Sequence, residues 1–262
     1  MTEPLLEVDA LRKVFGEHAA VDGVSFTVAR GGSLAIVGES GSGKTTIARM
    51  LVGLERPTSG TITFAGQDRT TAARSQGERR TRAGEVQLVF QDPYTSLDPR
   101  QRVEDCIDEA LRLFRGGTTG TRRARLEVLA ELVGLDERQL RAFPRALSGG
   151  QRQRVAIARV LAAEPQLIVL DEAVAALDVS IQAQVLNLLA DIRDATGVSY
   201  ILISHDLAVV RHLTEEAIVM RNGVVVERGT TAAILDDPQE PYTQLLRDSV
   251  PRAGWRPQRR NS

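Results

Sequence analysis

Two periods of hydrophobic patterning divide this chain. Val24, Phe26 and Val28 alternate with polar neighbours, as do positions 61–64, and a period of two predicts half-buried strands. Apolar runs at 34–37, 86–90, 167–170 and 199–203 predict further strands, the first ending in glycines. Elsewhere the period is 3.6. Residues 45–52 form one helix-like stretch; Val103, Ile107, Ala110, Leu111 and Phe114 share a helical face, and Leu126, Leu129 and Val133 share another. Gly116, Gly117 and Gly120 are read as the break between those two helices. Ile181, Val185, Leu188, Leu189 and Ile192 mark a further amphipathic helix, and Arg221-Asn222-Gly223 reads as a hairpin turn between 217–220 and 224–226.

Strand, glycine-rich turn and helix in that order predict an α/β core. A purely helical stretch, about residues 92–160, interrupts it, so the reading is one domain over 1–248 with an inserted helical subdomain, followed by a basic tail at 249–262 expected to be flexible. Composition narrows the class. With 42% hydrophobic residues, 22 Gly and 10 Pro among 262, the chain is neither fibrous nor of low complexity. Its 33 Lys and Arg nearly balance 34 Asp and Glu, so a net charge of −1 offers no overall field for nucleic acid. Arginine clusters at 68–82 and 252–262 read as solvated surface, with contact to anionic lipid as the sharper alternative. No apolar run reaches the roughly 18 residues of a membrane span, and acids stand in the N-terminal stretch where a signal peptide carries basic residues, which predicts a protein made and kept in the cytosol. The single Cys106 is read as a small packed residue; alone it forms neither an internal disulfide nor a cysteine-rich metal site.

Three motifs carry chemistry. Gly38-Glu39-Ser40-Gly41-Ser42-Gly43-Lys44-Thr45, followed by Thr46, fits G-x-x-x-x-G-K-[ST] between an apolar strand and a helix, the context a phosphate loop requires. Its backbone N–H groups would cradle phosphates, Lys44 would reach the β and γ phosphates, and Thr45 would offer a hydroxyl to Mg²⁺. Asp171 and Glu172 end the 167–170 strand at the edge where α/β sheets place ligands; Asp171 would support Mg²⁺ and Glu172 would orient or deprotonate an attacking water. Leu147-Ser148-Gly149-Gly150-Gln151 opens a helix with Ser148 as N-cap, a second anion site far from the first in sequence.

With those residues, the chain resembles the ATP-binding subunits of ABC transporters, from Leu5 to about Leu246. The resemblance implies a P-loop ATPase core with an antiparallel β subdomain and an inserted α-helical subdomain. In that family two subunits face head to tail, so Ser148, Gly149, Gly150 and Gln151 would act on the nucleotide held by the partner. By the same resemblance Phe15 would stack on adenine, strand-edge packing being the alternative. Gln91 would sense Mg²⁺ and the attacking water, Asp178 would communicate across the dimer, and His205 would contact the γ-phosphate. His18 and His212 match nothing.

Residues 91–100 and 177–187 and the run Pro241-Tyr-Thr-Gln-Leu-Leu look like those of oligopeptide, dipeptide and nickel importers, and the GGQRQR form resembles the second of two non-identical ATPase subunits. What this implies is an ATPase using ATP and Mg²⁺, peripheral on the cytoplasmic face of the membrane. Its partners would be a second ATPase subunit, favoured as a heterodimer, two permeases, and an extracellular solute-binding protein acting through them. Nucleic acid is not expected. Peptides lead as solute, with nickel or a metal chelate as the alternative, toward which the short tail leans. A soluble ABC-type ATPase of DNA repair or translation is the distant alternative, lacking here its usual coiled coil, zinc insert or tandem ATPase units. Ala173 and Ala175 depart from the family's proline and serine, and the lost hydroxyl at Ala175 puts cross-talk between subunits in doubt.

Overall fold

The computed structural model describes residues 3–90, 97–175 and 177–248. Two sheets share the core. A four-stranded antiparallel sheet takes β1 (Pro4–Phe15), β2 (His18–Ala29), β4 (Ser59–Phe64) and β5 (Gln67–Asp68) in the order β2-β1-β4-β5. A six-stranded sheet takes β3 (Ser33–Val37), β6 (Val86–Val89), β7 (Leu167–Asp171), β8 (Ser199–Ser204), β9 (Glu216–Arg221) and β10 (Val224–Thr230) in the order β10-β9-β3-β8-β7-β6. All its pairs are parallel except the β9–β10 hairpin. The α/β class with an antiparallel sheet and a helical segment is thus the architecture observed.

The apolar runs acquire a physical meaning here. In β3, β7 and β8 every residue is buried, because the sheet is covered on both faces. Leu34, Ile36, Leu167, Val169, Ile201 and Ile203 point to one core with the antiparallel sheet and α1 (Lys44–Leu51); the intervening Ala35, Val37, Ile168, Leu170, Tyr200 and Leu202 join the other, helical core. Helices α3 (Val103–Phe114), α4 (Thr119–Val133), the one-turn α5 (Glu137–Leu140) and α6 (Gly149–Leu161) all lie between β6 and β7, and α7 (Val179–Thr196) between β7 and β8. The described residues end with α8 (Leu207–Leu213), α9 (Thr231–Asp236) and α10 (Pro241–Asp248).

One expectation changes, and two elements appear that the pattern did not show. Gly120 is not a break: it sits in the first turn of α4, where the Thr118 hydroxyl accepts from the Thr121 N–H and starts the helix early. The arginine-rich stretch at 68–82 contains most of a helix, α2 (Gln76–Glu85), capped by Ser75 and exposing its charges; without buried residues it left no apolar period to read. Residues 4–15, assigned no strand from the pattern, form the long β1, whose period is broken near Ala10, at φ 45°, by a bulge against β2. The Asn222-Gly223 turn is as expected, with φ of 49° and 83°.

Candidate functional site

In register β3, β8 and β7 end together: Val37 pairs with Ser204, and Ile203 with Asp171. The phosphate loop follows β3, the acid pair closes β7 and His205 follows β8, so side chains up to 167 residues apart in sequence meet on one sheet edge. β6 ends near the same edge, with Val89 against Leu170. Gln91 itself lies outside the described residues.

Packing dictates the loop's glycines. A Cβ on Gly38 would stand 2.3 Å from the Met220 carbonyl oxygen, and one on Gly43, at φ 104°, 2.2 Å from that of Ala20. Both clashes are with backbone, so only glycine fits. Gly43 also precedes α1 without any side-chain cap, which leaves the first N–H groups of the helix without intrahelical partners and turned toward the loop's concavity. The Lys44 side chain folds back over the loop: its Nζ donates to the carbonyls of Gly38 and Glu39, both at 2.7 Å, and to Ser42 Oγ at 3.4 Å. Lys44 is only 5% exposed, and burial pushes its ammonium below the ordinary lysine range against the pull of Glu172, Asp171 and Glu39. Of the remaining members, Ser42 is buried, whereas Glu39, Ser40, Gly41 and Thr45 are exposed and Thr46 half-buried.

Thr45 Oγ1 donates to Asp171 Oδ1 at 3.3 Å, which ties the loop to β7. Burial raises the Asp171 pKa and the Thr45 hydrogen bond opposes it, with Glu172 adding a like charge. Glu172 lies beyond the last strand residue at φ 49°, its N–H held by the Ile203 carbonyl at 3.0 Å. That turn carries its carboxylate out of the strand to His205, with Oε1 3.3 Å from Nδ1. A part-buried oxygen pair (Thr45, Asp171) and a more exposed acid–imidazole pair (Glu172, His205) are therefore separate, one suited to a hard cation and the other to a proton.

The second anion motif lies elsewhere. Ser148 and Gln151 form a reciprocal capping box at the start of α6, which bears out the N-cap. Among the described residues no hydrogen bond joins 148–151 to 38–46. Gly150 has a packing reason as well: a Cβ there would stand 2.4 Å from Ile181 Cγ2. Ala173 beside Glu172 is buried and Ala175 exposed. Asp178 is exposed at the start of α7, its side chain making no cap bond. Phe15 ends β1 with 47% of its surface exposed, and Lys13 Nζ stands 4.7 Å from its ring centroid. Cys106 is buried in the helical core, as a packed residue should be. His212 hydrogen-bonds Asn187 far from this edge.

Sequence reasoning missed what braces the loop. The Gly223 N–H donates to the Ser42 carbonyl at 3.2 Å, and the Tyr242 hydroxyl accepts from the Glu39 N–H at 3.1 Å. The β9–β10 turn was legible as a turn but not as a neighbour of the loop, and Tyr242 stood out only as part of a family-like run. Among the described residues there is no cluster of three or more His, Cys, Asp or Glu that could hold a metal, and no helix long and apolar enough to cross a membrane.

Residues 21–175 match the family model described as ABC transporter. A Brucella abortus (strain 2308) protein, provisionally named a peptide import ATP-binding protein, is 51% identical over 234 residues, covering 89% of this chain and 70% of its own. The dipeptide transport ATP-binding protein DppF of Haemophilus influenzae is 44% identical over 259 residues, covering 95% and 79%. Among solved structures, the dimeric post-hydrolysis state of the ATP-binding cassette MJ0796, bound to ADP and Pi, superposes with a TM-score of 0.76 at 28% identity, covering 86% of this chain and 98% of that one.

Proposed function

The chain belongs to the ABC transporter family, and we propose that it is the ATP-hydrolysing subunit that energises a peptide importer. The observation that carries the reading is the meeting of Lys44, Thr45, Asp171, Glu172 and His205 on one sheet edge. Phosphates entering the loop displace the Gly38 and Glu39 carbonyls from the Lys44 ammonium, which then spans the β and γ phosphates while the N–H groups of the loop and α1 take the remaining oxygens. Glu172 accepts a proton from water as its oxygen bonds to the γ-phosphorus and the bond to the ADP oxygen breaks, releasing ADP and phosphate. His205, held at Nδ1 by Glu172, keeps Nε2 for the γ-phosphoryl oxygens. Phe15 offers its exposed ring to adenine.

Magnesium fits the residues present. Thr45 and Asp171 are two oxygen donors 3.3 Å apart, and phosphates, water and Gln91 would complete an oxygen shell of the kind this cation prefers. Bound there it would neutralise phosphate charge as it develops in the transition state.

Ser148, Gly149, Gly150 and Gln151 serve the nucleotide of a second ATPase subunit. The lack, among the described residues, of any hydrogen bond from them to the chain's own loop and the dimeric form of the MJ0796 cassette support that arrangement. A heterodimer is the favoured assembly, with Asp178 at its seam, docked on two permeases at the cytoplasmic face of the membrane and served by an extracellular solute-binding protein. The likeness to peptide and dipeptide import subunits supports peptides as the solute over nickel or a metal chelate. Reconstituting the complex with Glu172→Gln and with Lys44→Ala tests the roles: each should abolish turnover, and unchanged ATPase activity in either would overturn them. Identifying what the complex's solute-binding protein retains decides peptide against nickel.

A further inference from the structure

We infer that Tyr242 is a positioning residue for the phosphate loop, through which helix α10 is coupled to nucleotide affinity. The inference rests on the reading of 38–46 as the nucleotide site. The Gly38–Glu39 peptide group is held at both ends: its carbonyl accepts from Lys44 Nζ at 2.7 Å, and its N–H donates to the Tyr242 hydroxyl at 3.1 Å. When Lys44 turns to a phosphate, the first hold is released and the second stays. Without the tyrosine the peptide would be free to rotate just as the loop must present its N–H groups, and ordering it would be charged against binding.

The hydroxyl is fixed from behind. Tyr242 is 7% exposed and, with Leu246 one turn later, belongs to the helical core. Its ring is covered by the Arg221 guanidinium, 4.8 Å from the centroid, and two residues on Gly223 donates to the Ser42 carbonyl. Arg221 thus steadies the tyrosine while its own turn braces the loop. A contact made better in the nucleotide-bound form must work both ways, so nucleotide should also tighten α10 on the core.

The test uses the full chain, with a fluorescent ATP analogue titrated in magnesium, melting without nucleotide, and hydrogen exchange of 241–248 with and without ATP. For Tyr242→Phe the affinity should fall about fivefold, the equivalent of one neutral hydrogen bond. The nucleotide-free melting temperature should stay within about 2 °C, because the ring remains and Glu39 is open to water. ATP should slow exchange in α10 of the wild type and have less effect in the variant. Unchanged affinity with unchanged ATP-dependent protection overturns the inference, and so does a lowered melting temperature with unchanged affinity, which would mark the hydroxyl as packing alone. Lys44→Ala is the parallel control. If it binds the analogue like wild type, the nucleotide-site reading fails; if it binds weakly while Tyr242→Phe does not, only the inference about Tyr242 fails.

Discussion

Gly43→Ala and Gly41→Ala form a pair that separates backbone strain from close approach. Both glycines have left-handed φ, 104° and 82°, so alanine is strained at either, by roughly 1–3 kcal/mol. Their surroundings differ. A Cβ at Gly41 meets nothing within 4 Å, whereas one at Gly43 lies 2.2 Å from the Ala20 carbonyl oxygen. That oxygen is backbone of β2, which pairs with β1 along its length, so relief requires moving the strand or the loop and not one rotamer. Overpacking of this kind adds about 1–3 kcal/mol. Gly43→Ala should therefore melt about 2–12 °C below Gly41→Ala, taking about 2–4 °C per kcal/mol for a chain of this size. Thermal unfolding of the full chain followed by far-UV circular dichroism reads the difference. Equal melting temperatures would refute the view that β2 presses on the loop, and leave the glycine at 43 explained by φ alone.

Glu172→Gln keeps size and hydrogen-bonding reach but loses the base, so turnover in the assembled complex should fall by about 10²–10⁴ while ATP binding survives, read by steady-state ATPase and nucleotide titration. Asp171 has a folded pKa raised by burial, so the native state holds its proton longer than the unfolded chain does, and this carboxyl's contribution to stability declines as pH rises from its unfolded value near 3.8 through its folded value. In nucleotide- and metal-free protein, Asp171→Asn should then gain on wild type as pH climbs through that window and level off above it; a pH-independent gap in urea midpoints would contradict the burial argument. Gly150→Ala pushes a methyl into Ile181, so Gly150→Ala should be less stable than wild type and recover part of the loss when combined with Ile181→Ala; a strictly additive double variant would show that the contact is not the cause.

What the chain's sequence made legible follows the range of the interactions involved. The strands β3, β7 and β8 and helices α3 and α7 announce themselves because burial imposes a period on neighbouring residues. The phosphate loop and acid pair are legible because their chemistry needs consecutive residues. Helix α2 was not, since caps and surface ion pairs such as Arg82–Glu78 stabilise it without an apolar face. β1 was obscured by its own bulge at Ala10, where the Ser25 hydroxyl accepts the N–H that the ladder leaves over. The Glu172–His205 pair spans 33 residues and the Glu39–Tyr242 contact 203. The first could be expected only from family likeness, and nothing local could have suggested the second.

Those distant contacts bear on why the chain keeps a lysine at position 44 although it has only one other, Lys13, among 33 basic residues. The loop is bounded by Ala20 of β2, by Met220 and Gly223 of the last hairpin, and by Tyr242 of α10, all of which are fixed by their own packing. The space that remains holds an ammonium contacting two carbonyls and a hydroxyl, each reached by a different direction from one nitrogen. A planar guanidinium presents its donors in one fork and needs more room than a 5%-exposed side chain has here. The same confinement desolvates Lys44, and the pull of the acids across the sheet edge only partly offsets the lowering of its pKa. A phosphate offers the compensation that the protein withholds, which makes the tightness of the loop itself a source of affinity for a polyanion.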